Sequence, residues 1–236
     1  MARALVLRRR GLRVMLRGPS WASDVEADDR PRLLRRIARQ TGATVILPER
    51  PLSGFGLIPL MTSRHVALWS LDSDIDTLKG RLWGKWRNRM TSAARLGLDV
   101  RTAGPAALEL LIAAEAVQRR TRHYRALPPD FTRCLPAESL RLWQWHEGAH
   151  LHATMCFVRH GSWATYHMGY ADPRARELGA HSLILWQAAL ALRSEGVRVL
   201  DLGDVNSEET PGLARFKLGT GAALHRLGET CLVLPG

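Results

Sequence analysis

Cysteine and long apolar stretches are scarce in this sequence, and each shortage excludes a class of protein. The three cysteines, Cys134, Cys156 and Cys231, are widely spaced and form no CxxC pair, which argues against a disulfide framework and a cysteine-bound zinc. No apolar run approaches the roughly 20 residues of a membrane-spanning helix. The basic N-terminus alternates apolar and charged residues and lacks the apolar core of a signal peptide. We therefore expect a cytoplasmic protein without a membrane span.

Lysine is equally scarce, although the chain is strongly basic. Of the 34 basic side chains only three are lysines, namely Lys79, Lys85 and Lys217. Lysine has a compact ammonium group, whereas arginine has a planar guanidinium. A lysine in an arginine-rich chain therefore indicates that a point-like charge is needed. Chance is the alternative explanation for this fact alone.

The positive charge is concentrated in the first hundred residues. These hold 19 Lys and Arg against 9 Asp and Glu, whereas residues 101–236 hold 15 against 13. The asymmetry favours a polyanionic or phosphate-bearing partner for the N-terminal half. A solvated, arginine-rich surface explains the same numbers equally well.

The hydrophobic pattern predicts an abbreviated N-terminal α/β portion over residues 1–72 and a larger core over residues 73–236. In the core, one long helix is predicted from Ser73 to about Leu96, followed by a strand, a second helix and an antiparallel meander. The long helix carries two stripes of residues spaced by four, which lie on different faces. The apolar stripe is Leu78, Leu82, Trp86 and Met90, and the basic stripe is Arg81, Lys85 and Arg89. The elements follow the order βββ–α–β after an initial α/β portion.

The segment RELGAHS precedes a strongly apolar helix. A glycine-containing loop at a helix N-terminus presents free N–H groups and can hold a phosphate. Arg176 and Gly179 resemble the (Gln/Arg)-x-x-Gly-x-(Gly/Ala) loop with which GNAT acyltransferases hold the pyrophosphate of coenzyme A. His181 departs from that loop because a small residue is expected there. An ordinary helix start is the alternative interpretation.

Acidic residues follow the next apolar strand, in the segment VLDLGDVN. Asp201 and Asp204 flank Gly203, and acids at the end of a buried strand either line a site or form a turn. Because Asp201 lies between two leucines, we expect it to be paired or functional.

Three histidines, His146, His150 and His152, lie close together in the meander. Exposed strand histidines are the favoured interpretation over a metal site, which needs converging ligands. No metal is therefore expected.

The closing run GAHSLILWQAALALRSEGVRVLDLGDVNSEETPGLARFKLGTGA resembles the last segment of the FemAB-type aminoacyl transferases and related GNAT-like acyltransferases. Lys85 and Arg87 also match the Lys-x-Arg helix of that family. The matching positions of the closing run are Trp186, Gly196, Asp201, Gly203, Gly212, Leu213, Phe216, Lys217 and Gly219.

The resemblance implies a GNAT-like α/β (α+β) fold with a mixed, mainly antiparallel sheet flanked by helices. It also implies transfer of an acyl or aminoacyl group to an amine. It implies Lys217 and Asp201 as catalytic residues, with the lysine steadying charge at the reacting ester. A preorganised cation at a tetrahedral oxyanion can lower the barrier by roughly 3 kcal/mol. The positions expected to bind the donor are Lys85, Arg87, Arg176, Gly179 and Phe216.

Two donors and one non-enzymatic function stay open. The FemAB branch takes its group from aminoacyl-tRNA, which we favour slightly over acyl-CoA, and no tightly bound cofactor is expected. The other class of function is a non-catalytic RNA-binding module on the same fold. Full FemAB enzymes carry two GNAT-like halves, whereas this chain shows one complete half and an abbreviated first part.

Overall fold

The structure, a computed structural model, describes residues 2–122, 124 and 126–234. In this part the helices are α1 (Arg30–Thr41), α2 (Ile75–Arg81), α3 (Gly84–Arg95), α4 (Ala107–Arg122), α5 (Pro129–Arg133), α6 (Pro173–Glu177), α7 (Ala180–Ser194) and α8 (Pro211–Leu218). The strands are β1 (Ala2–Arg3), β2 (Val6–Arg9), β3 (Leu12–Leu16), β4 (Ser20–Trp21), β5 (Val45–Leu47), β6 (Leu57–Met61), β7 (His65–Ser70), β8 (Val100–Ala103), β9 (Leu140–Glu147), β10 (His150–His160), β11 (Trp163–Ala171), β12 (Val199–Asp204), β13 (Ala223–Arg226) and β14 (Thr230–Val233).

The chain separates into two compact units. The first contains the described residues up to Val66 together with those from His225 onward, and the second runs from Ala67 to Leu224. This division differs from the expected one at residues 72 and 73, because the chain end returns to the first unit. There β14 pairs antiparallel with both β5 and β6. The expected division assigned each unit one continuous stretch of sequence, so it could not place the last strand in the first unit.

The described part of the first unit contains a five-stranded sheet, a two-stranded sheet of β1 and β4, and the helix α1. The strands of the larger sheet follow the order β2-β3-β5-β14-β6, and the core of the unit contains Met15, Leu34, Ala38, Ile46 and Val233. Proline at the start of α1 suits the first helical turn, where no amide hydrogen bond is lost.

The second unit contains the predicted mixed sheet, in which strands follow the order β7-β12-β11-β10-β9-β8. Strands β8 to β11 form antiparallel pairs, and β11 pairs with β12 in parallel. Alternate residues of β9 face opposite sides, as a strand requires. Trp143 and Trp145 lie in the core cluster with α3 and α7, while Leu142 lies in the cluster with α4.

The predicted long helix from Ser73 is broken, and this part of the prediction is wrong. Leu82 and Trp83 are extended between α2 and α3, with ψ of 134° and 142°. The break is stabilised from elsewhere in the chain, because the Trp83 amide donates to the Gly219 carbonyl at 2.9 Å. The apolar stripe is nevertheless buried as predicted: Leu78, Leu82, Trp86 and Met90 are all 6% exposed or less.

Among the helices in the described residues, none combines the length and the apolar character needed to cross a membrane.

Candidate active site

The site lies where two neighbouring strands of the second unit part. The parallel pairing of β11 with β12 joins residues 163–165 to residues 199–201 and ends there. Beyond that point β11 continues to Ala171 and β12 continues to Asp204. Two strands that leave their ladder leave backbone N–H and C=O groups without a partner in the sheet, and we call this place the strand gap. Helix α7 contacts the end of β11 through His181 and Tyr170, and α8 contacts the end of β12 through Lys217 and Asp204.

Lys217 is the buried cation of the site. It lies on α8, is 6% exposed, and its Nζ donates to the carbonyl of Asp204 at 2.6 Å. Burial lowers the pKa of Lys217 to about 8, although Asp204 and Asp201 oppose the shift. The ammonium therefore carries its charge at neutral pH and is poorly solvated, which strengthens its action on a nearby anion.

Asp201 fixes the turn that holds Lys217. Its side chain is 6% exposed, and Oδ1 accepts from the Gly203 amide at 2.7 Å. Gly203 has φ of 77° and passes the lysine closely, since a Cβ there would lie 3.6 Å from Nζ. Asp201 thus orders the backbone that supplies the Asp204 carbonyl, and its charge also favours the protonated lysine.

Phe216 links three helices through its carbonyl and its ring. Trp86 of α3 donates from Nε1 to the Phe216 carbonyl at 3.0 Å, and the two rings are 6.2 Å apart. On the side of α7, the His181 ring is also 6.2 Å from Phe216. The backbone beside Lys217 is therefore fixed from α3 and packed from α7.

His181 fills the position where a small residue was expected. Its Nε2 donates to the Tyr170 carbonyl at 2.7 Å, which assigns the Nε2–H tautomer because a carbonyl only accepts. Burial lowers the pKa of His181 to about 4, so the ring is neutral at physiological pH. The histidine joins the end of β11 to the start of α7.

Gly179 begins α7 in contact with α3. Its φ of 74° is left-handed, and a Cβ would lie 3.1 Å from the Arg89 carbonyl, so glycine is required for both conformation and space. The Arg89 guanidinium donates to the Arg176 carbonyl. Arg89 therefore contacts the expected phosphate loop at two points, through its backbone at Gly179 and through its side chain at the Arg176 carbonyl.

Arg176 is turned toward the protein. Its guanidinium donates to Gln118 Oε1 at 3.1 Å and to the Ala171 carbonyl. Partial burial, with Arg122 nearby, lowers the pKa of Arg176. Two of its donors are thus engaged within the second unit.

Lys85 and Arg87 lie on α3, apart from the Lys217 cluster. Lys85 is exposed and Arg87 is half-buried. Within the described part of the chain, neither side chain makes a hydrogen bond or an ion pair. Only the residue between them, Trp86, reaches the cluster through Phe216.

A polar network on α4 was missed by the sequence analysis. Glu115 is 6% exposed and accepts from the Tyr124 hydroxyl at 3.0 Å. Gln118 donates to Tyr124 and to the Gly169 carbonyl, at 3.2 Å each, and it accepts from Arg176. One signal was available, because Glu115 follows Leu111 by four residues and so lies on the apolar face of its helix.

The fold is shared with solved structures of low sequence identity. The crystal structure of FemX superposes with a TM-score of 0.75 at 13% identity, covering 100% of this chain and 88% of that one. The C-terminal domain of a putative lysylphosphatidylglycerol synthetase from Agrobacterium fabrum gives 0.63 at 15% identity, covering 97% and 79%. The L-PGS of Bacillus licheniformis gives 0.58 at 13% identity, covering 98% and 80%. No protein with a curated function matches the chain in sequence.

The family model of the acetyltransferase (GNAT) domain matches residues 83–221. These residues are more than half of the chain, and they include the strand gap, α7 and α8. The GNAT-like fold expected from the closing motif is confirmed by the FemX superposition. The chain belongs to the GNAT acyltransferase family.

Proposed function

We propose that this acyltransferase moves an aminoacyl group from aminoacyl-tRNA to an amine, with Lys217 stabilising the oxyanion. The observation that carries the proposal is the buried ammonium of Lys217, held by the Asp204 carbonyl where β11 and β12 part. Lys217, Asp201 and Phe216 are the residues nearest this chemistry, and we assign the first to the reacting atoms and the other two to its positioning.

The reaction needs a cation at one oxygen. The acceptor nitrogen attacks the ester carbonyl carbon, and the carbonyl oxygen becomes an oxyanion in the tetrahedral intermediate. The C–O bond to the tRNA ribose then breaks, while the proton lost by the nitrogen ends on the departing hydroxyl. A buried, preorganised ammonium stabilises the oxyanion more than it stabilises the neutral ester, which is what lowers a barrier.

The covered start of α7 supports the tRNA donor over acyl-CoA. A pyrophosphate at this place needs free loop amides, but Gly179 packs against the Arg89 carbonyl and Arg176 is engaged with Gln118. His181 stands where the coenzyme A loop has a small residue, and it is hydrogen-bonded to the Tyr170 carbonyl. The name of one structural neighbour, lysylphosphatidylglycerol synthetase, also points to transfer of an aminoacyl group.

Acyl-CoA is the second candidate donor, and the family match itself favours it, since the matching model is an acetyltransferase domain. Gly179 with positive φ at the start of a 15-residue helix is also compatible with a phosphate loop. In this alternative the Arg89 side chain moves off the Arg176 carbonyl when the donor binds.

A binding comparison separates the donors. Purified protein is titrated with aminoacyl-tRNA, uncharged tRNA and acetyl-CoA in calorimetry at one fixed salt concentration. We expect saturable binding of tRNA and none of acetyl-CoA, with Arg89→Ala unchanged toward acetyl-CoA. Tight acetyl-CoA binding, strengthened in Arg89→Ala, would reverse the assignment.

A further inference from the structure

Two histidines and an aspartate of the second unit converge at the edge of the meander. His150 and His152 lie on one face of β10, and Asp172 follows β11 directly. Asp172 Oδ2 lies 2.7 Å from His152 Nδ1 and 3.3 Å from His150 Nε2. All three donor atoms lie within 4.8 Å of one another.

We propose that His150, His152 and Asp172 bind a divalent transition metal of the Zn²⁺ type. Donors about 2.0–2.2 Å from Zn²⁺ in a tetrahedron are about 3.3 Å apart. The Asp172–His150 separation has this value, and the Asp172–His152 pair opens by about half an ångström to admit the ion. Two imidazoles and one carboxylate with water as fourth ligand form a recurrent zinc set.

The surrounding residues orient the ligands as a metal requires. His152 Nε2 lies 3.3 Å from Glu147 Oε2, so Glu147 holds the proton on Nε2 when a metal displaces the Nδ1 proton that faces Asp172. Glu147 is itself held by Arg174 at 2.9 Å. The Trp145 ring stacks on His152 at 4.6 Å and restricts its rotation.

The two carboxylate oxygens of Asp172 have different partners. Its Oδ1 accepts from the Ala175 amide at 2.8 Å and caps α6, which leaves Oδ2 to face the histidines. His150 is exposed, so solvent and ions reach the site from its side. A metal here fastens the start of α6 to the β9–β10 hairpin, independently of the proposed function.

Zinc titration tests the site. Tag-free protein, first treated with chelator, is titrated with Zn²⁺ in calorimetry, and Co²⁺ is added in parallel for its visible absorption spectrum. We expect one Zn²⁺ per chain and an intense tetrahedral Co²⁺ band. His150→Ala removes a ligand and should weaken Zn²⁺ binding at least about 10-fold. Glu147→Gln changes the residue that holds His152, not a ligand, and should weaken Zn²⁺ binding about 10-fold.

Asp172→Asn and His160→Ala are the decisive controls. Asparagine keeps an oxygen to cap α6 but replaces the metal-binding oxygen by an amide, so the protein should fold and lose the metal. His160 is an exposed histidine on the same strand, and His160→Ala should bind Zn²⁺ as the unmodified protein does. Absence of saturable Zn²⁺ binding, or equal affinity in His150→Ala, would overturn the proposal and leave His152 as a histidine hydrogen-bonded to two carboxylates.

Discussion

The two compact units differ in where they keep their charged groups. Residues 1–66 and 225–236 contain 14 Lys and Arg against 6 Asp and Glu, a net charge of +8, while residues 67–224 contain 20 against 16, a net charge of +4. Among the described residues, the buried polar and charged side chains all lie in the second unit, including Glu115, Asp201 and Lys217. Burying such groups is costly unless they are paired.

The cost of buried charge is a guide to function. The first unit has an apolar core, and it contains a cavity of about 480 Å³ whose lining includes Arg30, Arg35 and Phe55. The second unit has buried charged groups, and two of them, Asp201 and Lys217, lie at the end of β12. Buried ionisable groups of this kind concentrate at functional sites.

Removing the buried cation should have the largest effect. Lys217→Ala is expected to lower kcat by about 10²-fold or more with little change in donor binding. Lys217→Arg should not restore turnover, because the planar fork does not fit a slot shaped for an ammonium. Arg215→Ala changes an exposed cation two residues away on α8 and should be near normal in the same steady-state assay. Normal turnover in a folded Lys217→Ala protein removes the lysine from the mechanism.

The same lysine should set the pH dependence of the second unit. Its pKa is about 8 in the folded chain against an ordinary 10.5, so kcat/KM should fall as pH rises through about 8 and the cation is lost. Between these two values the unfolded chain binds more protons, so the free energy of unfolding should rise with pH. Lys217→Met should abolish that rise in urea titrations at a series of pH values. A rise that persists in Lys217→Met must come from another group.

Alanine substitutions at two glycines separate the cost of backbone strain from the cost of a steric clash. Gly161 and Gly179 have φ of 66° and 74°, but a Cβ meets nothing within 4 Å at Gly161 and lies 3.1 Å from the Arg89 carbonyl at Gly179. We expect Gly161→Ala to cost about 1 kcal/mol from strain alone. Gly179→Ala should cost about 1 kcal/mol more, measured by urea unfolding, because α3 and α7 must separate. Equal costs would show that α3 yields freely at this contact.

The smallest expected effect is a change in the salt dependence of RNA binding. It is measured for exposed basic residues of the second unit and of the first unit. Arg81, Lys85 and Arg89 are exposed, and a triple change to Gln should reduce the slope of log affinity against log salt by about 2 if each meets a phosphate of single-stranded RNA. The matched triple change Arg8, Arg32 and Arg36 to Gln tests exposed arginines of the first unit. Thermal stability should be kept in both variants. If the slope falls more in the second variant, the first unit is the one that binds RNA. If the slope is unchanged in both variants, neither set of residues contacts RNA.

Local pattern predicted the elements and the core of the second unit well. The four-residue spacing from Leu78 to Met90 is a property of the segment itself, and the meander follows from alternation along three short runs. The break at Trp83 was not predictable in this way, because its amide is satisfied by Gly219 from a segment 136 residues later. The return of β14 to the first unit depends on a similarly distant partner.

The candidate site was predicted in part for the same reason. Lys217, Asp201 and Phe216 are close in sequence and carry a recognisable motif, so their proximity could be expected. The role of His181 depends on Tyr170 and Phe216, and Asp172 lies 20 residues from His152. Such partners come together only when the chain folds.

The tight fit of Gly219 against Trp86 also constrains how this protein can evolve. A Cβ at position 219 would lie 2.6 Å from Trp86 Cδ1, while the Trp86 indole donates to the carbonyl of Phe216, the residue that precedes Lys217. A single substitution is unfavourable at either position. A larger residue at position 219 displaces the Trp86 indole, and a smaller residue at position 86 removes the hydrogen bond that fixes the backbone next to Lys217. The same Cβ at position 219 would lie 2.8 Å from the Arg215 carbonyl. Descendants of this chain can therefore replace the glycine only when both the tryptophan and this turn of the backbone change, so the glycine and the tryptophan should be inherited as a unit.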